Sequence, residues 1–195
     1  MGSAATAWAC LGQGWQPGIG DPGPSGWLTV AAYLACCGLA WAVAVRRPHV
    51  AGRRFWMLLV PLLAFLAVNK QLDLQTALTA TGRCMAQAQG WYDSRAQVQL
   101  AFIAGLLAMG ALVIAGLAVT LRRSLRRNGL ALAGLVVLAA FVLVRAVGFH
   151  HVDLLINRDF GGIRSNFLFE TAGLALIALN ALMLLSPRGR TVSPR

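Results

Sequence analysis

Long apolar runs, separated by short polar stretches, divide the whole sequence. Five of these runs, with their flanking residues, are long enough to cross the hydrocarbon core of a bilayer, which takes about 20 residues in a helix. They predict transmembrane helices over about residues 27–45, 54–74, 96–121, 130–149 and 166–185. We therefore predict an all-α polytopic membrane protein that forms one helical-bundle domain over residues 1–195, and this domain begins with an irregular segment, residues 1–26.

The second predicted span ends in a polar sequence. Its uninterrupted apolar part, residues 55–68, is too short to cross a bilayer, so the helix is expected to continue through residues 69–74. Residues 75–95 predict one short helix on the membrane surface, followed by a turn at residues 90–93.

Composition agrees with a membrane location. The chain is 58% hydrophobic and only 12% charged, whereas soluble domains carry about 25% charged residues. Its net charge of +11 is that of many nucleic-acid-binding proteins. However, the arginines lie in short loops beside apolar segments and no recognition motif accompanies them, so we expect no nucleic-acid partner.

The charged residues are divided unequally between the two sides of the predicted bundle. The loops after the first and third spans and the C-terminal tail contain eleven arginines and no carboxylate. The other side holds six basic residues and all six acidic ones, which are Asp21, Asp73, Asp93, Asp153, Asp159 and Glu170. Because excess Lys and Arg mark cytoplasmic loops, the C-terminus is predicted in the cytoplasm and residues 1–26 outside it. That segment has no Lys or Arg, so we expect no cleaved secretory signal.

Polar residues gather at the outer ends of the second, fourth and fifth predicted spans. On each span, pairs of them lie three or four residues apart and so share one helix face. Ionisable groups inside a span are costly, and they usually face the bundle interior, where they pair. The predicted binding residues are Asn69, Lys70, Asp73, Arg145, His150, Asp153, Asn166 and Glu170.

This cluster has two interpretations. One is a ligand-binding pocket open to the outside, in which Asp73 or Glu170 is the candidate catalytic base. The other is a buried structural network, in which Arg145 pairs with Glu170 and Lys70 pairs with Asp73. The cluster contains more polar groups than two ion pairs need, which favours the pocket.

His150, His151 and Asp153 are the candidate metal ligands. Imidazole and carboxylate groups bind zinc and iron, but adjacent histidines point about 100° apart on a helix. Their spacing also matches no established zinc motif. A zinc or iron ion is thus one alternative, and histidines bonded to carboxylates and lipid head groups are the other. Haem is disfavoured because it usually takes axial histidines from facing helices.

Two of the four cysteines, Cys10 and Cys84, lie on the predicted extracytoplasmic side, where disulfides persist. A bridge between them would hold the glycine-rich N-terminal segment over the polar cluster. Two unrelated thiols are the alternative, since sequence alone does not fix disulfide geometry. Cys36 and Cys37 lie within the first predicted span and are expected to behave as small buried hydrophobic residues.

Several short strings carry a family resemblance: Ile-Gly-Asp-Pro at 19–22, Asn-Lys-Gln-Leu-Asp-Leu-Gln at 69–75, Gly-Trp-Tyr at 90–92 and Phe-His-His-Val-Asp at 149–153. Together they resemble a family of small bacterial inner-membrane proteins without an established activity, some of which are labelled "isopropylmalate isomerase". The resemblance implies a multi-pass protein of the bacterial inner (plasma) membrane. The label itself fits poorly, because an aconitase-like isomerase needs cysteine ligands for an iron–sulfur cluster, and Cys36 and Cys37 lie in a predicted membrane helix.

The leading functional hypothesis is binding of a lipid head group, a small polar ligand or a metal ion at the outward-facing cluster. One alternative is a metal-dependent membrane hydrolase or transferase acting on a lipid, with a bound ion that activates water. Another is an accessory subunit of a membrane complex, or a homo-oligomer, that packs through Gly105, Gly110 and Gly116 of the third span. Whether the protein is an enzyme is left open by its sequence.

Overall fold

The computed structural model describes residues 9–10, 16, 18–47, 51–90, 92–147, 159–160 and 163–186. In this part of the chain the main elements are six α-helices and one short 3-10 helix, Tyr92–Ser94. Two-residue strands β1 (Asp159–Phe160) and β2 (Ile163–Arg164) pair antiparallel. The α-helices are α1 (Pro24–Arg46), α2 (Arg53–Leu72), α3 (Leu74–Ala88), α4 (Arg95–Leu121), α5 (Leu125–Val147) and α6 (Ser165–Leu185).

Five of the described helices are long and apolar enough to cross a membrane: α1, α2, α4, α5 and α6. The predicted all-α polytopic fold is therefore confirmed. The shorter helix α3 lies between the second and third spans, where the sequence predicts a separate short helix.

Helix α2 ends earlier than predicted. It stops at Leu72 rather than at residue 74, and Asp73 adopts a left-handed backbone conformation with φ 46° and ψ 53° before α3 begins. Left-handed backbone is uncommon outside glycine, and Asp tolerates it because its short side chain forms local hydrogen bonds. Here Asp73 Oδ2 accepts a hydrogen bond from Thr76 Oγ1 at 2.6 Å. The polar sequence thus lies at a junction between two helices.

Four helices, α1, α2, α5 and α6, form the apolar core, with Trp56 and Ile177 fully buried. Helices α5 and α6 approach closely where two glycines meet. A Cβ atom on Gly134 would lie 2.5 Å from the carbonyl oxygen of Gly173, so a larger residue would push the helices apart.

Helix α4 packs much less than the other spans. Only 6% of its most apolar window is buried, against 33–39% in the other four spans. The sequence predicts that three of its glycines allow close contact with another helix. Within the described residues Gly110 lies against Leu143, whereas no atom lies within 4 Å of the Cβ position of Gly105 or Gly116, so contact of these two with a partner stays a prediction. Most of the α4 surface is therefore left to lipid or to a partner.

One end of the bundle, which we call the arginine-rich end, carries the loop that ends at Gly52 and the loop Arg122–Ser124. A buried side-chain amide connects these loops. Trp56 Nε1 donates to Asn128 Oδ1 at 2.9 Å, and Asn128 Nδ2 donates to the Ala51 carbonyl at 2.7 Å. Asn128 is fully buried, so these bonds replace all of its hydration.

A second buried amide at the arginine-rich end joins α5 to α6. Asn180 Nδ2 donates to the Arg127 carbonyl at 2.7 Å, and the Ala131 N–H donates to Asn180 Oδ1 at 2.9 Å. Two arginines also donate to main-chain carbonyls. Arg47 donates to those of Leu185 and Ser186, and Arg53 donates to that of Ala44. The arginines of two different loops therefore lie at the same end of the bundle, as the alternation of spans predicts.

Candidate polar recess

The opposite end of the bundle contains a buried ion pair. Lys70 Nζ on α2 donates to Glu170 Oε2 on α6 at 2.8 Å. Their side chains are only 9% and 5% exposed. Removing either partner would leave the other as a buried charge without its closest counter-charge. Each residue therefore lowers the free-energy cost of burying the other.

Two further groups contact this pair. Tyr33 Oη on α1 donates to Glu170 Oε1 at 3.2 Å, so both carboxylate oxygens accept a hydrogen bond. Asp21 Oδ2, from the segment before α1, lies 3.8 Å from Lys70 Nζ. We call Asp21, Tyr33, Lys70 and Glu170 the charged cluster.

The chain before α1 brings Asp21 to this position. Gly23 precedes α1 with an extended backbone, and Pro24 occupies the first turn, where its missing N–H costs nothing. Gly26 packs so tightly against Asp21 that an added Cβ atom would lie 2.6 Å from the carboxyl carbon of Asp21. The Gly20 N–H donates to the Gln71 carbonyl at 2.7 Å, which fixes the segment on the end of α2.

A small recess opens beside the charged cluster. Its volume is about 20 Å³, which is room for about one water molecule. Carboxylate, ammonium, amide and phenol groups meet apolar side chains around it, so its walls are amphipathic. The lining residues are Tyr33, Leu66, Asn69, Lys70, Asp73, Phe141, Val142 and Glu170.

Four of the predicted binding residues line this one recess: Asn69, Lys70, Asp73 and Glu170. The predicted pairing of Lys70 with Asp73 is wrong, since Lys70 pairs with Glu170 and Asp21 instead. The spacing of three residues favours a pair only while the helix continues, and α2 has ended before Asp73.

The remaining predicted site residues are only partly visible. The backbones of Arg145 and Asn166 lie in α5 and α6, and Arg145 follows the recess-lining Phe141 by one helical turn. Their side chains, together with His150, His151 and Asp153, lie outside the described residues. The pairing of Arg145 with Glu170 and the zinc or iron ligands therefore stay predictions. Within the described part of the chain, His, Cys, Asp and Glu form no group of three suited to a metal ion.

Two cluster residues were not predicted as site residues, although the sequence contains a signal for each. Tyr33 is a lone tyrosine inside an apolar span, and a buried phenol O–H generally needs a partner. Asp21 stands in a glycine- and proline-rich turn just before a span. Its approach to Lys70 depends on how that turn folds back over α2.

The structure contains a disulfide between Cys10 and Cys84, with Cα atoms 5.6 Å apart. This is the bridge that the sequence leaves as one of two alternatives, and it ties the N-terminal residues to α3. Cys36 is buried and donates to the Leu174 carbonyl, and the partly buried Cys37 donates to the Val60 carbonyl. Both free cysteines thus behave as small buried residues of a membrane helix.

Two buried side chains near this end lack hydrogen-bond partners among the described residues. They are Gln71, whose amide nitrogen and oxygen are both buried, and Thr81, one turn before Cys84 in α3. Buried polar groups are nearly always bonded to protein or to ordered water, so each exception calls for a physical explanation.

Comparison of the chain with protein families, with curated proteins and with solved structures found no match. The function has to be inferred from the residues of the recess and the charged cluster.

Proposed function

We propose that this protein is an integral protein of the bacterial inner membrane whose polar recess faces the extracytoplasmic side and binds a lipid head group. The observation that carries the proposal is the buried ion pair of Lys70 and Glu170 beside an amphipathic recess. Ionisable groups within a membrane bundle are costly and most often mark a binding or transport site.

The recess has unused hydrogen-bonding capacity. An ammonium group has three N–H donors, and only the bond from Lys70 to Glu170 is short, since Asp21 lies at 3.8 Å. The side-chain amide of Asn69 lines the recess and forms no hydrogen bond with another described residue. A purely structural ion pair would not need an unbonded amide beside it, whereas a ligand with phosphate or ester oxygens would use both groups.

A lipid head group fits the walls and the position of this recess. Leu66, Phe141 and Val142 form its apolar part, and polar groups form the rest. The recess lies near the ends of α2 and α6, where head groups meet the hydrocarbon core of a bilayer. Its volume admits only about one water molecule, so binding of a head group requires the recess to widen.

Charge distribution supports the proposed orientation. The loops at the arginine-rich end carry arginines and no carboxylate, while Asp21, Asp73 and Glu170 lie at the other end. The positive-inside rule places arginine-rich loops in the cytoplasm. The resemblance to bacterial inner-membrane proteins supports the proposed membrane.

Replacing both residues of the ion pair distinguishes a role in ligand binding from a purely structural role. Replacing a buried ion pair by apolar residues of similar size is often neutral or stabilising, so Lys70→Met/Glu170→Met should fold. We expect the amount of lipid retained by this double variant to be lower than that of the unchanged protein by about tenfold or more. A tenfold change corresponds to only about 1.4 kcal/mol of binding free energy. Retention is measured by native mass spectrometry after extraction from vesicles of phosphatidylethanolamine or of phosphatidylglycerol.

The matched control is Arg54→Gln, which removes an exposed charge at the arginine-rich end. It should leave retention unchanged. Equal lipid retention by the folded double variant and the unchanged protein, with both vesicle types, would contradict the proposal and leave the ion pair a structural element.

The sparse packing of α4 supports a second candidate function, that of an accessory subunit. Gly105 and Gly116 face open space on a helix whose apolar surface is almost wholly uncovered. Small residues of this kind let a partner helix approach closely. Cross-linking in native membranes should then give a discrete complex that Gly105→Leu abolishes. A protein that is monodisperse and monomeric both in membranes and in detergent would contradict this candidate.

A further inference from the structure

We infer that the Cys10–Cys84 disulfide holds residues Gly18–Gly23, which we call the strap, against the end of α2 beside the polar recess, and that reduction of this disulfide releases the strap. Ligand binding at the recess would then depend on the redox state outside the cytoplasm. This inference rests on the proposed function, because it assigns a regulation to the same recess.

Two non-covalent contacts hold the strap on α2. The Gly20 N–H bonds to the Gln71 carbonyl at 2.7 Å, and Asp21 approaches Lys70 Nζ at 3.8 Å. Lys70 lines the recess, and Gln71 is its neighbour in the chain. The strap therefore contacts the helix end from which the recess is built.

The strap lies on α2 without space between them. A Cβ atom on Gly20 would lie 3.0 Å from the Gln71 carbonyl oxygen and 3.2 Å from Cβ of Asp73. Asp73 also lines the recess. The contact is close enough that even one added methyl group at residue 20 would force the strap or the junction to move.

These contacts are weak for a segment so rich in glycine and proline. One backbone hydrogen bond contributes modestly to stability, and the Asp21 side chain is 33% exposed, which weakens its attraction to Lys70. Gln71, whose main-chain carbonyl accepts from the strap, has a buried carboxamide without a partner among the described residues, and an unpaired buried amide lowers the stability of this part of the bundle. An additional restraint is needed to keep the strap in place.

The disulfide supplies that restraint. It links residues 74 positions apart in sequence and anchors the chain before the strap to α3, so it removes the arrangements in which this chain moves far from α3. With the disulfide broken, only the weak contacts at Gly20 and Asp21 oppose release.

Release requires a dithiol reductant, such as a thiol–disulfide oxidoreductase in its reduced form. Its thiolate attacks one sulfur, the S–S bond breaks, and the other cysteine leaves as a thiolate that takes up a proton. The second thiol of the reductant then displaces the mixed disulfide and gives its proton to the second cysteine. Two electrons and two protons pass to Cys10 and Cys84, and the reductant becomes a disulfide.

Amide hydrogen exchange of the full-length protein tests this inference directly. We compare the oxidised protein with the same protein after treatment with dithiothreitol, in peptides covering residues 18–27 and 66–76. Reduction should raise exchange at Gly20 at least tenfold and leave peptides from residues 124–135 unchanged. Unchanged exchange at Gly20 after complete reduction of the disulfide would overturn the inference.

A second pair of variants keeps the test independent of the cysteines. Gly20→Ala should raise exchange in the strap with the disulfide intact, because its Cβ meets Gln71 and Asp73. Gly18→Ala is the matched control, since the nearest atom to its Cβ is the Gln16 oxygen at 3.8 Å. Equal exchange in these two variants would contradict the close packing of the strap on α2.

Lipid retention, measured in both redox states, separates this inference from the proposed function. Retention that depends on Lys70 and Glu170, with no effect of reduction on exchange or on retention, would overturn the strap inference alone. Raised exchange on reduction, with retention equal in the unchanged protein and the Lys70→Met/Glu170→Met variant, would overturn the proposed function and keep strap release. A change in retention on reduction that the double variant lacks would support both.

Discussion

The two ends of this bundle bury polar side chains in opposite ways. At the arginine-rich end, the buried groups are the neutral amides of Asn128 and Asn180, and most of their bonds go to main-chain atoms. At the other end, the buried groups of Lys70 and Glu170 are ionisable, and they bond to other side chains. Main-chain partners cannot move without unwinding a helix end, whereas side-chain partners can exchange through rotamer changes.

This difference indicates that one end has a structural role and the other a functional role. The amides at the arginine-rich end connect loops and helix ends, and their hydrogen bonds account for both the nitrogen and the oxygen of each amide. The charged cluster borders a recess, lies under a separately attached segment and has the unbonded amide of Asn69 beside it. The first arrangement fixes the bundle, and the second can accept a ligand.

Loss of one charge from the cluster should give the largest change in stability. In Glu170→Gln, the Lys70 ammonium loses its 2.8 Å partner while its side chain stays 9% exposed. Breaking a buried pair in this way costs about 3–5 kcal/mol, toward the lower value here because Asp21 is close to Lys70. Reversible unfolding in mixed micelles measures the change in the free energy of unfolding.

The Lys70→Met/Glu170→Met variant is the control for this prediction. Because neither charge then remains, its free energy of unfolding should lie within about 1–2 kcal/mol of that of the unchanged protein. If the double variant were as unstable as Glu170→Gln, the pair would be part of the structural framework, and the contrast between the two ends would disappear.

A slightly smaller loss is expected from Asn128→Leu at the arginine-rich end. The substitution leaves the buried Trp56 Nε1 without its partner, and a buried orphaned group costs about 1–3 kcal/mol. The carbonyl of the exposed Ala51 also loses its bond, but water can replace that partner. We expect a total of about 1–3 kcal/mol, measured by the same unfolding assay. Lipid retention by the folded fraction should not change, because Asn128 does not line the recess.

Asn69→Leu is the matched substitution at the other end. The side chain of Asn69 forms no hydrogen bond with another described residue, so its replacement should cost under about 1 kcal/mol. The same change should lower lipid retention. An Asn69→Leu variant that unfolds like Asn128→Leu and binds lipid normally would reverse the roles assigned to the two ends.

The sequence predicts the frame of the molecule better than its polar contacts. The length of each apolar run determines the five spans, and alternation of the spans places the arginines of different loops at one end. The partner of Lys70 was wrong because a spacing of three residues predicts a pair only within a continuous helix. Whether α2 continued past Leu72 depended on the left-handed backbone of Asp73, which local sequence favours only weakly.

The amides of the arginine-rich end were missed for a different reason. Asn128 follows a run of arginines and resembles a loop residue, since the fourth span was predicted to begin at residue 130, but α5 already begins at Leu125. Asn180 is a polar residue inside the apolar helix α6, and such residues generally bond to a neighbouring helix. That pattern was a usable signal, although it does not identify the partner.

A glycine substitution measures how closely the arginine-rich end is packed. Gly52 precedes α2 with φ +90°, and an added Cβ would lie 2.6 Å from Asn128 Nδ2. Gly52→Ala therefore combines backbone strain with a displaced amide, and we expect a loss of about 2–3 kcal/mol. Gly90 has φ +75°, but no atom of the described residues lies within 4 Å of its Cβ position, so Gly90→Ala should cost only the strain, about 1–2 kcal/mol. The difference between the two variants isolates the contact with Asn128 and should vanish in the Asn128→Ala background, which removes the contacting atoms. A difference that persists there would mean that Gly52 matters through Leu121, whose Cδ2 lies 2.9 Å from the same Cβ position, rather than through the amide network.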